Sequence, residues 1–227
     1  MVHDGDCIQL GFGGIPNAIG FELMNRHDLG IHTEQIGASI AHMIQSGVVT
    51  NRYKNLDRGW SVGAFIIADN FTYNYVNNHP RIMMRRGRYT NDPMIIAQQD
   101  NMVSINAALQ IDLTGQVAAE ALGHIQFSGT GGATDYAYGA YHSRGGRAML
   151  CQISTAKKGT VSRIAPILDP GSIVSVSRNL TDMVITEYGV AKLRQRTVKQ
   201  RVENLIAVAH PDFRAELRKE ANKYMYF

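Results

Sequence analysis

The chain has 227 residues, of which 44% are hydrophobic, 8% aromatic and 19% charged. These ordinary values exclude the compositional bias of disordered and fibrous chains. The formal net charge of +4 suits an anionic small molecule, and nucleic-acid-binding motifs are missing from the sequence.

Membrane, secretory and metal-binding features are also missing. The longest apolar run, residues 62–68, is broken by Gly63 and fits a buried strand better than a bilayer span. Residues 1–6 do not form a secretory signal, which favours a cytoplasmic location. Cys7 and Cys151 have no CxxC partner, so the sequence predicts two core thiols and no metal site.

The first predicted elements alternate between strand and helix. Residues 8–10 indicate a short buried strand, which is followed by a glycine turn and a helix over residues 16–24 that opens with Pro16. A strand over residues 30–32 precedes a helix over residues 38–45, which ends at Ser46-Gly47. Strand-like residues begin almost at the first position, at Cys7, which suggests that the chain was cut from something longer.

The middle of the chain continues this alternation. Residues 62–68 predict a strand, and Asp69 is a suitable cap for the aromatic stretch over residues 71–76. Asn91-Asp92-Pro93 predicts the start of another short helix.

The last part of the chain contains a predicted hairpin, three strands and two helices. Residues 102–111 alternate apolar and polar side chains, and residues 112–115 predict the turn of a hairpin that returns over residues 116–119. The remaining strands and helices are expected at residues 148–153, 173–176 and 183–186, and at residues 198–207 and 211–221. Together the elements predict one α/β domain over residues 1–227, with an open, mixed or mostly parallel sheet flanked by helices.

Two glycine-rich loops are similar to each other. Residues 8–14 and 125–132 both place a GxGG run between an apolar strand and a predicted helix. Backbone N–H groups in such loops can face an anion or an oxyanion. The first loop taken alone is equally compatible with a tight turn, because it lacks the third glycine of a dinucleotide-binding fingerprint.

Glu34 is the main candidate for chemistry. His32-Thr33-Glu34 matches part of a zinc deaminase motif, but the P-C-x-x-C that completes that motif is absent. Glu34 follows a predicted strand, at the sheet edge where ligand crevices form. Local chemistry alone favours the alternative, a first-turn glutamate that interacts with the dipole of the next helix.

Three further groups could be functional or structural. Lys157 and Lys158 could meet a phosphate or occupy an exposed turn, and Glu187-Tyr188 could be catalytic or could be a capping glutamate and a buried tyrosine. An arginine cluster is interpreted first as a solvated or domain-facing edge and second as a phosphate site. Its members are Arg81, Arg85, Arg86 and Arg88.

A series of segments, taken in order along nearly the whole chain, carries a resemblance to a known family. They are residues 4–6, 11–18, 29–34, 91–93, 101–106, 112–116, 128–132, 154–159, 184–189 and 209–214. In these segments the sequence resembles the C-terminal domain of the acetyl-CoA hydrolase/transferase family, most closely its 4-hydroxybutyrate CoA-transferase branch.

The resemblance implies a CoA-transferase that works through a glutamyl-CoA thioester on Glu34, with Gly13 and Gly14 as oxyanion donors. It implies CoA contacts for Asn91, Gly129, Gly131 and Gly132. Coenzyme A is then a substrate, and no further cofactor is expected. The alternatives are an acyl-CoA hydrolase and a CoA-binding fragment that is inactive alone.

The sequence departs from the family pattern in two places. Ala38-Ser39 stands where the family commonly has Asp-Gly, which bears on substrate preference. The family's N-terminal domain is missing, and the family's active site lies between the two domains. The expected partners are therefore acyl-CoA, a small carboxylate, that N-terminal domain and further copies of the same chain, without nucleic acid or membrane.

Overall fold

A computed structural model describes residues 1–224. Their contacts separate into two compact units, residues 1–106 with 135–148 and residues 107–134 with the chain from residue 149 onward. The single domain expected over residues 1–227 stays a prediction.

Short strands and helices alternate along the chain. The helices are α1 (Gly14–Glu22), α2 (Ala38–Gln45), α3 (Asn70–Val76), α4 (Gly87–Thr90), α5 (Pro93–Ile96), α6 (Ala133–His142), α7 (Val198–Val208) and α8 (Pro211–Lys223). The strands are β1 (Cys7–Leu10), β2 (Gly30–Ile31), β3 (Gln35–Ile36), β4 (Ser61–Gly63), β5 (Phe65–Ile66), β6 (Ile82–Met84), β7 (Met102–Ala107), β8 (Gln110–Asp112), β9 (Val117–Ala118), β10 (Ala121–Leu122), β11 (Ile125–Gln126), β12 (Arg147–Cys151), β13 (Thr155–Ala156), β14 (Val161–Ser162), β15 (Ile164–Ala165), β16 (Met183–Thr186) and β17 (Gly189–Lys192).

The first unit is built around parallel strands. β1 pairs in parallel with β2 on one side and with β7 on the other. Ile8 and Val103 are fully buried there, as expected for apolar strands covered on both faces. The first unit also contains two smaller parallel pairs, β3 with β5 and β4 with β6.

Helices α2, α3 and α5 begin where the sequence predicts, whereas α1 begins at Gly14, two residues before the predicted start at Pro16. The Asp69 carboxylate accepts a hydrogen bond from the Thr72 N–H at 2.9 Å and caps α3, and Asp92 caps α5 through Met94 in the same way. α1 and α2 approach closely at Gly20, because a Cβ atom there would lie 2.3 Å from the Ser39 hydroxyl oxygen.

The second unit combines parallel and antiparallel pairs. β12 pairs in parallel with β16, which pairs antiparallel with β17. The predicted hairpin is confirmed, since β8 and β9 are antiparallel and Asp112 Oδ1 accepts hydrogen bonds from the Thr114 and Gln116 N–H groups, each at 2.9 Å. The described elements, taken together, confirm the predicted α/β fold with an open, mixed or mostly parallel sheet flanked by helices.

Three strand predictions need correction. Residues 102–111, predicted as the outgoing strand of the hairpin, form β7, which pairs with β1, and β8, which pairs with β9. The strand expected over residues 62–68 is two strands, because β4 pairs with β6 whereas β5 pairs with β3. The strand expected over residues 173–176 is absent from the described chain. Ile173 and Val174 are 47% and 42% exposed, and Val176 forms only an isolated bridge to Val117.

None of the helices within residues 1–224 has both the length and the apolar character needed to cross a membrane.

Candidate active site

Glu34 follows the carboxyl end of β2 and is partly exposed. Its backbone carbonyl accepts hydrogen bonds from the Ala64 N–H at 2.8 Å and the Phe65 N–H at 3.1 Å. The preceding residue, Thr33, donates its N–H to Val62 at 3.0 Å. Backbone bonds on both sides therefore fix the position of Glu34, which precedes α2 by a short strand and is not in its first turn.

A buried lysine holds the strand that leads to Glu34. The Lys54 ammonium donates to the backbone carbonyls of Ile31 at 2.8 Å and Trp60 at 2.7 Å. Burial lowers the pKa of Lys54, as expected when the charged form is removed from water. The Ile31 N–H is bound by Asn51 Oδ1 at 2.8 Å, so both backbone groups of Ile31 are satisfied.

The Thr90 carbonyl joins three segments around Glu34. It accepts hydrogen bonds from His32 Nε2 at 3.1 Å and from the Tyr136 hydroxyl at 2.7 Å. Burial lowers the pKa of His32 to about 4, and the charge of Lys54 lowers it as well. His32 is therefore neutral at pH 7, with its proton on Nε2, since a carbonyl can only accept.

The Asn91 side chain binds the Glu34 carboxylate. The Asn91 Nδ2 group donates to Glu34 Oε1 at 2.9 Å. The Asn91 carbonyl oxygen accepts from the Thr90 hydroxyl at 2.9 Å. Asn91 was expected to contact CoA, and that role stays a prediction beside this observed contact with Glu34.

The electrostatics of Asp135 reflect this arrangement. Burial raises the pKa of Asp135, and the negative charge of Glu34 raises it further. The amide of Asn91 acts in the opposite direction and lowers the pKa of Asp135, because an N–H donor favours the ionised carboxylate. Glu34, Asn91 and Asp135 thus form one electrostatically connected group.

The first glycine loop lines a cleft of about 310 Å³. Gly13 has a φ of 121° and is the N-cap of α1, which begins at Gly14. The first N–H groups of a helix have no partner within the helix, so they can serve a bound anion or oxyanion. The cleft is lined by Leu10, Gly11, Phe12, Gly13, Gly14, Asn17, Gln35, Gly37, Ala38, Ser39, Ile40, Ile67 and Ala68.

The second glycine loop belongs to the second unit. Gly129 and Gly131 are exposed, Gly132 is buried, and the loop leads into α6. The expected role of these glycines in CoA binding stays a prediction.

The other candidate groups are separate from the contacts of Glu34 described above. Lys157 and Lys158 are exposed and have positive φ angles of 47° and 56°. The Glu187 carboxylate binds the Ser154 N–H at 2.9 Å and the Ser154 hydroxyl at 2.6 Å. The expectation of a buried tyrosine is wrong, because Tyr188 is 39% exposed.

The arginine cluster is exposed, and Arg85, Arg86 and Arg88 line a second cavity of about 380 Å³ together with Met84 and Tyr89. Arg85 lies 3.6 Å from Asp57, and its guanidinium lies 5.4 Å from the centre of the Tyr89 ring. Arg81 does not line that cavity. These contacts support the interpretation of Arg85 as a structural surface residue.

Sequence reasoning missed Lys54, Tyr136 and Asp135. No spacing rule links them to Glu34, because each reaches the site from a distant part of the chain. The only local signal was the place of Asp135 in the first turn of a predicted helix after the second glycine loop.

Three comparisons relate the chain to known proteins. Residues 69–221 match the family model described as the acetyl-CoA hydrolase/transferase C-terminal domain. The chain is 47% identical over 223 residues to the succinyl-CoA:cyclohexane-1-carboxylate CoA transferase of Geobacter metallireducens, covering 98% of this chain and 51% of that protein. It is 44% identical to the 4-hydroxybutyrate coenzyme A transferase of Clostridium kluyveri, covering 98% and 52%.

A solved structure is similar over the whole chain. The crystal structure of RipA from Yersinia pestis superposes with a TM-score of 0.96 at 46% identity, covering 100% of this chain and 51% of that one. The chain thus spans about half the length of the relatives it matches. With a family model over most of its length and relatives above 40% identity, the chain belongs to the acetyl-CoA hydrolase/transferase family.

Proposed function

We propose that the protein carrying this chain transfers coenzyme A from an acyl-CoA to a carboxylate, with Glu34 as the nucleophile. The observation that carries the proposal is the placement of the Glu34 carboxylate, partly exposed at a strand end and bound by Asn91 at 2.9 Å. Names of relatives such as the CoA transferases of Geobacter metallireducens and Clostridium kluyveri support the same reaction class.

The first half-reaction loads CoA onto the protein. A Glu34 carboxylate oxygen attacks the thioester carbonyl carbon, and the C–S bond then breaks. CoA departs as a thiolate, and the acyl group stays on Glu34 as a mixed anhydride. The thiolate then attacks the Glu34 carbonyl carbon of the anhydride and releases the acyl group as a free carboxylate. Glu34 remains as a glutamyl-CoA thioester.

The second half-reaction reverses these steps with a different carboxylate. The acceptor carboxylate attacks the glutamyl thioester and expels the CoA thiolate, which leaves a new mixed anhydride. The thiolate attacks the acyl carbonyl of that anhydride, so the new acyl-CoA departs and the Glu34 carboxylate is restored. Coenzyme A is a substrate in this scheme, and no other cofactor takes part.

The first glycine loop is proposed to stabilise the oxyanions of these steps. Each attack produces a tetrahedral carbon with a negatively charged oxygen, and the N–H groups at Gly13 and Gly14 are suitable donors. Loss of one such donor costs on the order of a hundredfold in rate or more. The cleft beside this loop, with Ile40 and Ile67 in its lining, suits a short acyl chain such as acetyl, butyryl or 4-hydroxybutyryl.

The rest of the protein is proposed to complete the site. The matched relatives are about twice as long as this chain, so their other half can supply a second wall and further substrate contacts. A cytoplasmic location and assembly of several copies stay predictions.

The decisive experiment is intact-mass analysis of the full-length protein after incubation with acyl-CoA. We expect a covalent CoA adduct that maps to Glu34, is lost when an acceptor carboxylate is added, and does not form in Glu34→Gln. Glu22→Gln is the matched control, since Glu22 is an exposed glutamate of α1.

Two results would contradict the proposal. An adduct that persists in Glu34→Gln would exclude Glu34 as the nucleophile. Release of free CoA and free acid at the same rate with and without an acceptor would indicate hydrolysis instead of transfer.

A further inference from the structure

We infer that Thr90 is a positioning residue for the reaction at Glu34, because its hydroxyl orients the Asn91 carboxamide so that an N–H group faces the Glu34 carboxylate. This inference rests on the proposed function of Glu34. Thr90 is fully buried, so it acts through Asn91 and not by contact with the substrate.

The side chain of Asn91 is held at both ends. Its carbonyl oxygen accepts a hydrogen bond from the Thr90 hydroxyl at 2.9 Å, and its Nδ2 group donates to Glu34 Oε1 at 2.9 Å. A second acceptor near the Thr90 hydroxyl is the Gly87 carbonyl oxygen at 3.4 Å. A hydroxyl has one hydrogen to donate, and the shorter distance assigns it to Asn91.

The opposite orientation of the Asn91 amide is unfavourable. It would place the amide oxygen against the Glu34 carboxylate, and two acceptor oxygens at hydrogen-bond distance repel each other. It would also remove the bond that the Thr90 hydroxyl donates to the amide oxygen. The Thr90 hydroxyl and the Glu34 carboxylate therefore select the same orientation from the two ends of the amide.

The backbone of Thr90 is fixed as well. Its carbonyl accepts hydrogen bonds from the Tyr136 hydroxyl at 2.7 Å and from His32 Nε2 at 3.1 Å, and both of these side chains are fully buried. The backbone N–H of Asn91 donates to the Gly87 carbonyl at 2.8 Å. The peptide that joins Thr90 to Asn91 is thus held on both sides, which fixes the point from which the Thr90 hydroxyl reaches the amide.

The role of Thr90 follows from the loss of charge on Glu34. The Glu34 carboxylate attracts the amide strongly, but this charge disappears when Glu34 becomes an anhydride or a thioester. The Thr90 hydroxyl keeps its bond to the amide oxygen throughout. The N–H of Asn91 therefore stays directed at the Glu34 carbonyl oxygen, where negative charge develops during each attack at that carbon. A hydrogen bond to the amide oxygen also polarises the N–H group and makes it a stronger donor.

Single-turnover kinetics of the full-length protein test this inference. The measurement is the rate at which acyl-CoA converts Glu34 to its CoA adduct, followed by rapid quenching and intact mass. Thr90→Val replaces the hydroxyl with a methyl group of similar size, and we expect the rate to fall about 10-fold, the effect of losing one hydrogen bond of ordinary strength. Thr90→Ser keeps the hydroxyl and should react at nearly the wild-type rate.

A double-mutant cycle with Asn91 separates positioning from a general loss of structure. We expect Thr90→Val to have almost no further effect in an Asn91→Ala background, because the hydroxyl acts only through that amide. The fraction of protein that finally carries CoA should equal that of wild type in Thr90→Val. Partial unfolding would lower this fraction, whereas misplacement of the amide lowers the rate.

Further variants control for folding. Thr72→Val makes the same substitution at another fully buried threonine of the first unit, whose hydroxyl binds the helix cap Asp69 at 2.6 Å, and should react at the wild-type rate. Thermal melts identify any variant that fails to fold. Thr90→Ala, which also lacks the hydroxyl but puts no methyl group in its place, then replaces Thr90→Val in the cycle.

The outcomes separate the two proposals. Wild-type protein that forms no adduct on Glu34 would overturn the proposed function itself. With a normal wild-type reaction, a folded Thr90→Val protein that reacts at the wild-type rate would overturn the role of Thr90 alone. A Thr90→Ser protein as slow as Thr90→Val, or losses that simply multiply in the double variant with Asn91→Ala, would do the same.

Discussion

Gly13 and Gly14 occupy neighbouring positions with different structural requirements. Gly13 has a φ of 121° and a ψ of 172°, a region that residues with a Cβ atom rarely enter. Gly14 has no positive φ, and a Cβ atom added there would meet nothing within 4 Å. The loop therefore needs glycine at Gly13 for its backbone conformation but not at Gly14.

This contrast gives a prediction for stability. Gly13→Ala should lower the free energy of unfolding by about 1–3 kcal/mol, the cost of a strained backbone position. Gly14→Ala should leave it unchanged. Urea denaturation of both variants measures the difference, and equal losses would show that the conformation of Gly13 is not the cause.

For Glu34, a single sequence predicts the position of the residue in the fold but not its hydrogen-bond partners. The position of Glu34 after a strand could be predicted, since an apolar segment ends just before it. Its hydrogen bond to Asn91 joins residues 57 positions apart, and Asp135 comes from still further along the chain. A pattern in a short stretch of sequence does not report contacts between residues so far apart in the chain. Asn91 was therefore assigned to the site only by resemblance, and Asp135 was not predicted to lie near it.

At the scale of elements, α6 carries Asp135 and packs closely on α5. A Cβ atom at Gly139 would lie 2.3 Å and 2.5 Å from two carbons of the Ile96 side chain, which is fully buried. Neither atom is at the flexible end of a side chain, so the helix itself would have to move. The separation of α6 and α5 thus depends on the absence of a side chain at Gly139.

We therefore expect Gly139→Ala to lower the free energy of unfolding by about 1–3 kcal/mol through overpacking. The matched control is Gly87→Ala in α4, where a Cβ atom would meet nothing within 4 Å. That control should be neutral or slightly stabilising, because alanine favours helix. Denaturant melts of the two variants provide the test, and a neutral Gly139→Ala would contradict the close approach.

The helix bounds can be predicted from local sequence signals, whereas the strand pairings cannot. The bounds of α2 agree with the prediction because Ser46-Gly47 stops the helix, and α3 starts at its cap, Asp69. The run over residues 62–68 contains no local signal for its division into two strands. That division depends on which distant strand pairs with each half, as does the failure of residues 173–176 to form a strand.

At the scale of the whole molecule, burial of neutral His32 makes stability depend on pH. The pKa of His32 is lowered to about 4 in the folded chain, against an ordinary value of 6.5. The unfolded chain therefore binds a proton that the folded chain excludes between these values, and stability falls as the pH is lowered through this window. The shift corresponds to about 3 kcal/mol in total.

His32→Gln should remove most of this dependence. Its amide can still donate to the Thr90 carbonyl but does not titrate, so the free energy of unfolding should change less from about pH 7 to pH 4. Asp69, whose pKa is lowered, loses its stabilising effect only below its ordinary value of 3.8, outside this window. Glu187, whose pKa is lowered from an ordinary value of 4.5, contributes equally to wild type and His32→Gln and does not change the difference between them. Parallel pH profiles for wild type and His32→Gln would contradict the assignment.

The burial of both cysteines has a practical consequence for assays. Cys7 and Cys151 are 2% and 3% exposed, and burial raises the pKa of Cys7 to about 11 and that of Cys151 to about 12. Thiolates react with colorimetric disulfide reagents far faster than thiols, so these two side chains should stay silent while the chain is folded. Free coenzyme A can then be titrated continuously without background from this chain, and the same dye added in denaturant reports the unfolded fraction.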